Sequence, residues 1–319
     1  MSRLVLGTRG SALALAQTNL VRAALATAAP AARIEIREFK TTGDRRQDLS
    51  LSSAVHGDAG EHIDKGLFTK ELEQALLAHE IDVAIHSLKD LPTANPPGLI
   101  IAAVLPRANP EDVLIFKTAA ADYQQSIPLQ TGATVATSSV RRQLQLLHAR
   151  TDLKVVDIRG NVGTRLEKLR DRFDWAALVL ARAGLERLGF DLNRGVLDIS
   201  GAQFGVKSMG ADLMLPAVGQ GAIAMQVRED DAATREALTA INHMETFSAV
   251  TAERALLRLL GGGCQAPLGV STSLQAGEIT LRAVFHQVAG ELPRIGVATG
   301  RDPQEVASAV AAQLLSSHA

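Results

Sequence analysis

Short apolar runs alternate with longer amphipathic ones through the first half of the chain, and this alternation limits the fold more than any other feature. "RLVLG" reads as a strand and "SALALAQTNLVRAALATA" as a helix. "ARIEIREFK" alternates like a strand, "LFTKELEQALLAHE" carries Leu72, Ala75 and Leu76 at helical spacing, and "IDVAIHS" is a buried strand. "LIIAAVLP" follows, and then "ATVAT", "VRRQLQLLHAR", "LKVVDIR", "RLEKLRDR" and "WAALVLA" repeat the strand-helix rhythm. Strands that alternate with helices predict an α/β fold. From about Met244 the pattern changes: a helix "SAVTAERALLRLL", the strands "GVSTSL", "EITLRAVFHQ" and "RIGVATG", and a closing helix predict a small α+β domain. A chain of 319 residues is too long for one ordinary core, so two or three domains are expected. Two stretches, 50–66 and 193–216, read as long irregular loops.

Three strand ends share one design: a polar knot with arginine, then a helix. They are "GTRGSA" with Thr8, Arg9 and Ser11, "ATSSVRRQ" with Thr137, Ser138, Ser139, Arg141 and Arg142, and "IRGNVGTRLEK" with Arg159, Asn161, Thr164 and Arg165. Ser11, Ser138 or Ser139, and Thr164 are natural N-caps, and Thr164 with Glu167 matches a capping box. Capping accounts for the hydroxyls. It does not account for the arginines, because a cation in the first turn opposes the helix dipole. An anion sharing the site would, since free N–H groups and forked guanidinium groups both bind carboxylate or phosphate. Ligands of open α/β sheets bind beyond the carboxyl ends of the strands, where these corners fall. The charge distribution agrees: nine basic residues stand against four acidic ones between Ser138 and Arg172, in a chain whose net charge is −1. No phosphate-binding loop or dinucleotide fingerprint is present, which favours carboxylates over a nucleotide.

A fourth strand ends in "AIHSLKDLP". Asp90 either builds a turn before Pro92 or stands as a lone carboxylate in a basic cleft, where it would stay ionised and could stabilise a cation or pass protons. The only cysteine, Cys264, lies in "GGGCQAPLG". It can form neither an internal disulfide nor a cysteine-based zinc site. A buried small hydrophobe is one reading; the three glycines before it suit a loop where something bulky approaches the main chain. The near-neutral charge and the scarcity of aromatic residues give no pull toward nucleic acid or a membrane, and no apolar run is long enough to span a bilayer. The lone cysteine and the lack of a signal-peptide pattern fit a cytoplasmic setting.

Eight strings in order, "TRGSALA", "KGLFTKELE", "DVAIHSLKDLP", "TSSVRRQ", "RGNVGTRL", "LARAGLERLG", "LPAVGQGA" and "GGGCQAPLG", resemble the porphobilinogen deaminase (hydroxymethylbilane synthase) family through nearly the whole chain. The resemblance implies an α/β fold of two periplasmic-binding-protein type II-like lobes, 1–105 with 217–240 and 106–216, plus a small α+β C-terminal domain, 241–319. It implies a transferase of porphyrin (haem) biosynthesis that condenses four porphobilinogens head to tail, releases ammonia and yields a linear hydroxymethylbilane. It also implies a dipyrromethane cofactor held by a thioether to Cys264, and a monomer. Asp90 falls on the catalytic aspartate, expected to hydrogen-bond pyrrole N–H groups and stabilise an azafulvenium-like cation. Arg9, Ser11, Lys65, Phe68, Lys89, Thr137, Ser138, Ser139, Arg141, Arg142, Arg159, Gly160, Arg165, Ala183 and Gln220 fall on cofactor- or substrate-binding motifs. No metal site is implied. The family pattern is broken before "KGLF", where "AGEHID" brings Glu61 and Asp64 instead of a further lysine, in the length of 193–216, and at Arg182, which would add positive charge beside Ala183. Two rivals stand beside this reading: a carboxylate-binding protein without catalysis, and a thiol enzyme with Cys264 as nucleophile and His86 or another histidine as its base.

Overall fold

The computed structural model describes residues 3–41, 69–263, 266–288 and 290–316. Along the chain run β1 (Arg3–Arg9), β2 (Arg33–Phe39), β3 (Val83–Ser87), β4 (Leu99–Val104), β5 (Asp112–Phe116), β6 (Thr134–Ala136), β7 (Lys154–Val156), β8 (Ala177–Ala181), β9 (Val196–Ile199), β10 (Ala202–Ser208), β11 (Ile223–Arg228), β12 (Leu268–Gln275), β13 (Glu278–Phe285) and β14 (Arg294–Gly300). They form three sheets. The first has the order β2-β1-β3-β11-β4, the second β7-β6-β8-β5-β10-β9, the third β12-β13-β14.

The first two sheets repeat one plan. β1, β2 and β3 are parallel, as are β6, β7 and β8. Each trio is followed by an antiparallel strand that belongs elsewhere in the sequence: β11 beside β3, and β5 beside β8. The chain therefore crosses between lobes twice, after β4 and after β10. This is the two-lobed α/β architecture that the sequence implies. β5 and β11 are buried along their whole length, so they do not alternate; their polar members, Asp112, Gln226 and Arg228, are buried with the rest.

Helices cover the sheets by their apolar stripes. Ala12–Ala28 buries Val21 and Leu25, and its cap Ser11 accepts from the Ala14 N–H at 3.3 Å. Lys70–Leu77 buries Leu72 and Leu76 completely, each worth about 1.5–3 kcal/mol. In the third sheet Gly296 lets the closing helix Pro303–Ser316 approach, since a Cβ there would lie 3.1 Å from Val310. No helix among the described residues is long and apolar enough to cross a membrane.

Two sequence readings are corrected. Residues 193–216 are not an irregular loop: β9 and β10 form a hairpin that extends the second sheet, turned by Ser200 and Gly201 at φ 53° and 85°. Gly205 leaves room there for the Phe116 ring. Thr164 does not cap its helix: Val162–Asp171 starts two residues earlier, and Asn161 accepts from the Thr164 N–H at 2.9 Å.

Candidate functional site

The carboxyl ends of β1 and β3 meet in a cleft of about 70 Å³ lined by Arg9, Ser11, Gln17, Thr69, Ser87 and Asp90. Asp90 ends a single 3₁₀ turn, Leu88–Asp90, directly after β3, and is exposed toward this space. Gln17 fixes the strand end by donating to Ser87 Oγ at 2.8 Å. A larger groove of about 570 Å³ on the C-terminal domain, lined by Phe285, Leu292 and Arg294 among others, shares none of these residues.

Lys89 lies in the same turn. Its Nζ donates to Gln220 Oε1 at 3.3 Å. Burial pushes the Lys89 pKa down to about 8; Arg142 and Arg141 push the same way, while Asp90 and Asp112 oppose it. Gln220, fully buried in the second crossover, donates in turn to Asp112 Oδ1 at 2.9 Å and to the Pro110 carbonyl.

Asp112 is the hub that sequence reasoning missed. Arg141 Nη2 donates to its Oδ2 at 2.8 Å, and Arg142 Nη2 to its Oδ1 at 2.7 Å. Burial alone would raise the Asp112 pKa; the two guanidinium groups outweigh it and hold the carboxyl well below the usual range. Other donors of the pair go to the Leu215 and Val179 carbonyls. Both arginines are buried and share this one internal carboxylate, which balances one of their two positive charges. The signal was present in "NPEDVLIFK": a carboxylate inside a buried apolar run needs a cationic partner.

The third corner is differently occupied. Arg165 Nε donates to the Gly160 carbonyl at 2.7 Å, and among the described residues this is its only hydrogen bond. Burial, together with Arg142 and Arg159, lowers its pKa to about 10, against the opposing pull of Asp90. A partly desolvated cation with spare forked donors and no carboxylate bonded to it fits an acidic ligand. Gly160 adopts φ 112°, and a Cβ would lie 2.8 Å from Thr164 Cγ2. Arg159 stands beside it, its carbonyl accepting from Lys168 Nζ at 3.0 Å.

The hydroxyls divide by role. Ser138 Oγ donates to the Ile158 carbonyl at 2.6 Å and accepts from the Ile158 N–H, tying the second corner to the third. Thr137 is buried and accepts from the Ser139 N–H. Ser139 sits at the N-cap of Val140–Ala149 and makes no capping bond with its side chain. Ala183 is buried in the first turn of the helix Arg182–Arg187, next to Gly184, which faces Leu13 of the first lobe. Arg182 adds no charge to this place: it bonds Glu186 at 2.7 Å and Asn193 at 3.2 Å. Arg187, not singled out from the sequence, instead reaches the Gly221 carbonyl at 2.6 Å. His86 is buried against Gln226 at 3.1 Å, and burial lowers its pKa to about 4. Cys264, Lys65, Phe68, Glu61 and Asp64, with the whole of the 50–66 stretch, lie outside the described residues.

Fold and site together define a two-lobed α/β protein whose cleft sets one exposed aspartate beside Arg9, with further arginines at two strand ends of the other lobe. Two family models match: "Porphobilinogen deaminase, dipyromethane cofactor binding domain" over residues 4–236 and "Porphobilinogen deaminase, C-terminal domain" over 247–316. A porphobilinogen deaminase of Rubrobacter xylanophilus is 44% identical over 98% of this chain and 94% of its own. One of Syntrophomonas wolfei is 44% identical over 91% of this chain and 87% of its own. The chain belongs to the porphobilinogen deaminase family. Among solved structures, the methionine-binding protein MetQ overlaps 79% of this chain and 95% of its own at 14% identity, with a TM-score of 0.42.

Proposed function

We propose that the protein condenses four porphobilinogen molecules head to tail, releasing ammonia at each step, to give linear hydroxymethylbilane. The observation that carries the reading is Asp90, an exposed carboxylate set among Arg9, Ser11 and Gln17 in a chain of this family. When ammonia leaves the aminomethyl carbon of the substrate, a cation is left that the surrounding guanidinium groups disfavour. Among the described residues that line the cleft, Asp90 supplies the negative charge. After carbon-carbon bond formation the attacked pyrrole carbon must lose a proton, which the same carboxylate can take up.

The dipyrromethane group, carried on Cys264, supplies the primer on which the chain grows. Arg165, with Arg159 and Ser139 beside it, has the donors for its carboxylates and for those of added rings. Arg9, Ser11, Lys89, Thr137, Gly160, Ala183, Lys65 and Phe68 belong to the same surface by the family motifs. Ser138, Arg141, Arg142 and Gln220 act there through Asp112 and the corner-to-corner bonds. The domains are 1–105 with 217–240, 106–216 and 241–319. The protein works as a cytoplasmic monomer with no nucleic-acid partner.

A carboxylate-binding protein without catalysis would need no carboxylate in a cleft built for anions. A thiol enzyme using His86 would need an accessible base, whereas His86 is buried and bonded to Gln226. Incubation with porphobilinogen tests the reading. Four ammonia per linear tetrapyrrole are expected, and turnover in Asp90→Asn should fall about a thousandfold. Substrate binding without ammonia release would favour the non-catalytic rival.

A further inference from the structure

The helix Met244–Leu259 leads from the crossovers into the Cys264 loop, and two adjacent residues on it reach back to both sides of the catalytic turn. Arg254 donates through Nη2 to the Pro92 carbonyl at 2.7 Å and through Nη1 to the Leu91 carbonyl at 3.1 Å. Leu91 closes the 3₁₀ turn that presents Asp90, its N–H donating to the Leu88 carbonyl. Glu253, fully buried, accepts from the Gly219 N–H at 2.8 Å and from both Nη atoms of Arg107, and Arg107 Nε holds the Gln220 carbonyl at 2.9 Å. Gln220 is the residue to which Lys89 donates.

We infer that Glu253 and Arg254 form a two-armed clamp by which the domain carrying the cofactor loop sets the position of Asp90 and Lys89, with Arg254 a positioning residue for the reaction. An exposed aspartate on a one-turn 3₁₀ helix has few bonds of its own to hold it. The two carbonyls directly after it are held by a planar fork, which fixes direction as well as distance. The catalytic carboxylate is then in place when the helix Met244–Leu259 is seated, and displaced when it is not. An error of an ångström at such a group costs rate rather than binding.

The inference rests on the proposed function, and the experiment separates the two. Arg254→Met, Arg254→Lys and, as a control on the exposed face of the same helix, Arg258→Met are made in the full chain. Hydrogen exchange of the Leu88–Leu91 amides and steady-state kinetics with porphobilinogen are measured, with intact mass for cofactor content. Arg254→Met should speed exchange at Leu91 about tenfold or more and lower kcat about 20- to 100-fold, with KM within about twofold and cofactor mass retained. Arg254→Lys, able to hold one carbonyl, should fall between, and it carries the test if the methionine variant does not fold. Wild-type kcat and exchange in Arg254→Met, an equal loss in Arg258→Met, or loss of the cofactor mass would overturn the clamp. A wild-type chain that releases no ammonia would instead overturn the function, and the exchange at Leu91 would still decide the clamp.

Discussion

Arg142 grips a single oxygen of Asp112 with two of its nitrogens, Nη2 at 2.7 Å and Nε at 3.2 Å, leaving the other oxygen to Arg141. One buried carboxylate thus carries two buried guanidinium groups, and Gln220 joins that cluster to Lys89 in the turn that ends at Asp90.

Removing the charge from Asp112 should therefore be costly. Asp112→Asn leaves two buried cations without their counter-ion, and we expect about 3–5 kcal/mol of lost stability by denaturant titration. The pH dependence has a definite sign. The folded pKa of Asp112 lies below its unfolded value, so its contribution is complete above the ordinary carboxylate pKa of about 4 and is lost as pH falls below it. Wild type should lose stability in acid more steeply than Asp112→Asn.

Lys89 shifts stability with pH in the same direction, in an alkaline window. Its folded pKa, about 8, lies below the ordinary lysine value of about 10.4, so the unfolded chain binds more protons between the two. The cost of burying Lys89 therefore shrinks as pH rises through that window. The cleft loses a cation over the same range, so KM for an acidic substrate should rise above about pH 8. Lys89→Gln should raise KM at neutral pH and remove that part of the profile.

Gly221 should tolerate no side chain. It adopts φ 86° where the second crossover passes the first, and a Cβ would overlap the Ala108 carbonyl oxygen. Gly221→Ala should cost about 2–4 kcal/mol and disturb the Gly221 carbonyl that Arg187 holds. Thermal unfolding measures the first effect, and KM the second. Gly132→Ala, also at positive φ but with open space around it, should cost less.

The strand-corner-helix rhythm was legible because each unit is local: Ser11 caps, β1 is apolar, and the helix stripe has its own period. The α+β ending was legible for the same reason. The crossovers were not, because β5 and β11 take their places in the two sheets through partners 61–69 and 136–142 residues away. The β9–β10 hairpin was missed because "VLDISGAQFGVKS" alternates weakly and is held by packing on β5. Asp90 and the arginine corners could be located by position, but which arginines bond an internal carboxylate could not. That depends on Asp112, brought to Arg141 and Arg142 by the sheet rather than by any nearby motif. Arg165 and Arg142 look alike in sequence; only the fold shows that Arg142 bonds Asp112 while Arg165, among the described residues, bonds no carboxylate.

The central claim is that this chain is a condensing enzyme built around a group anchored on Cys264. Intact mass of the protein as purified tests it most directly, beside Cys264→Ser and Asp90→Asn. The account predicts that wild type and Asp90→Asn are heavier than the sequence by two deaminated porphobilinogen units, and that Cys264→Ser carries no such addition. A wild-type chain at its sequence mass that still converts porphobilinogen to hydroxymethylbilane, or a Cys264→Ser variant that keeps the added mass, would contradict it.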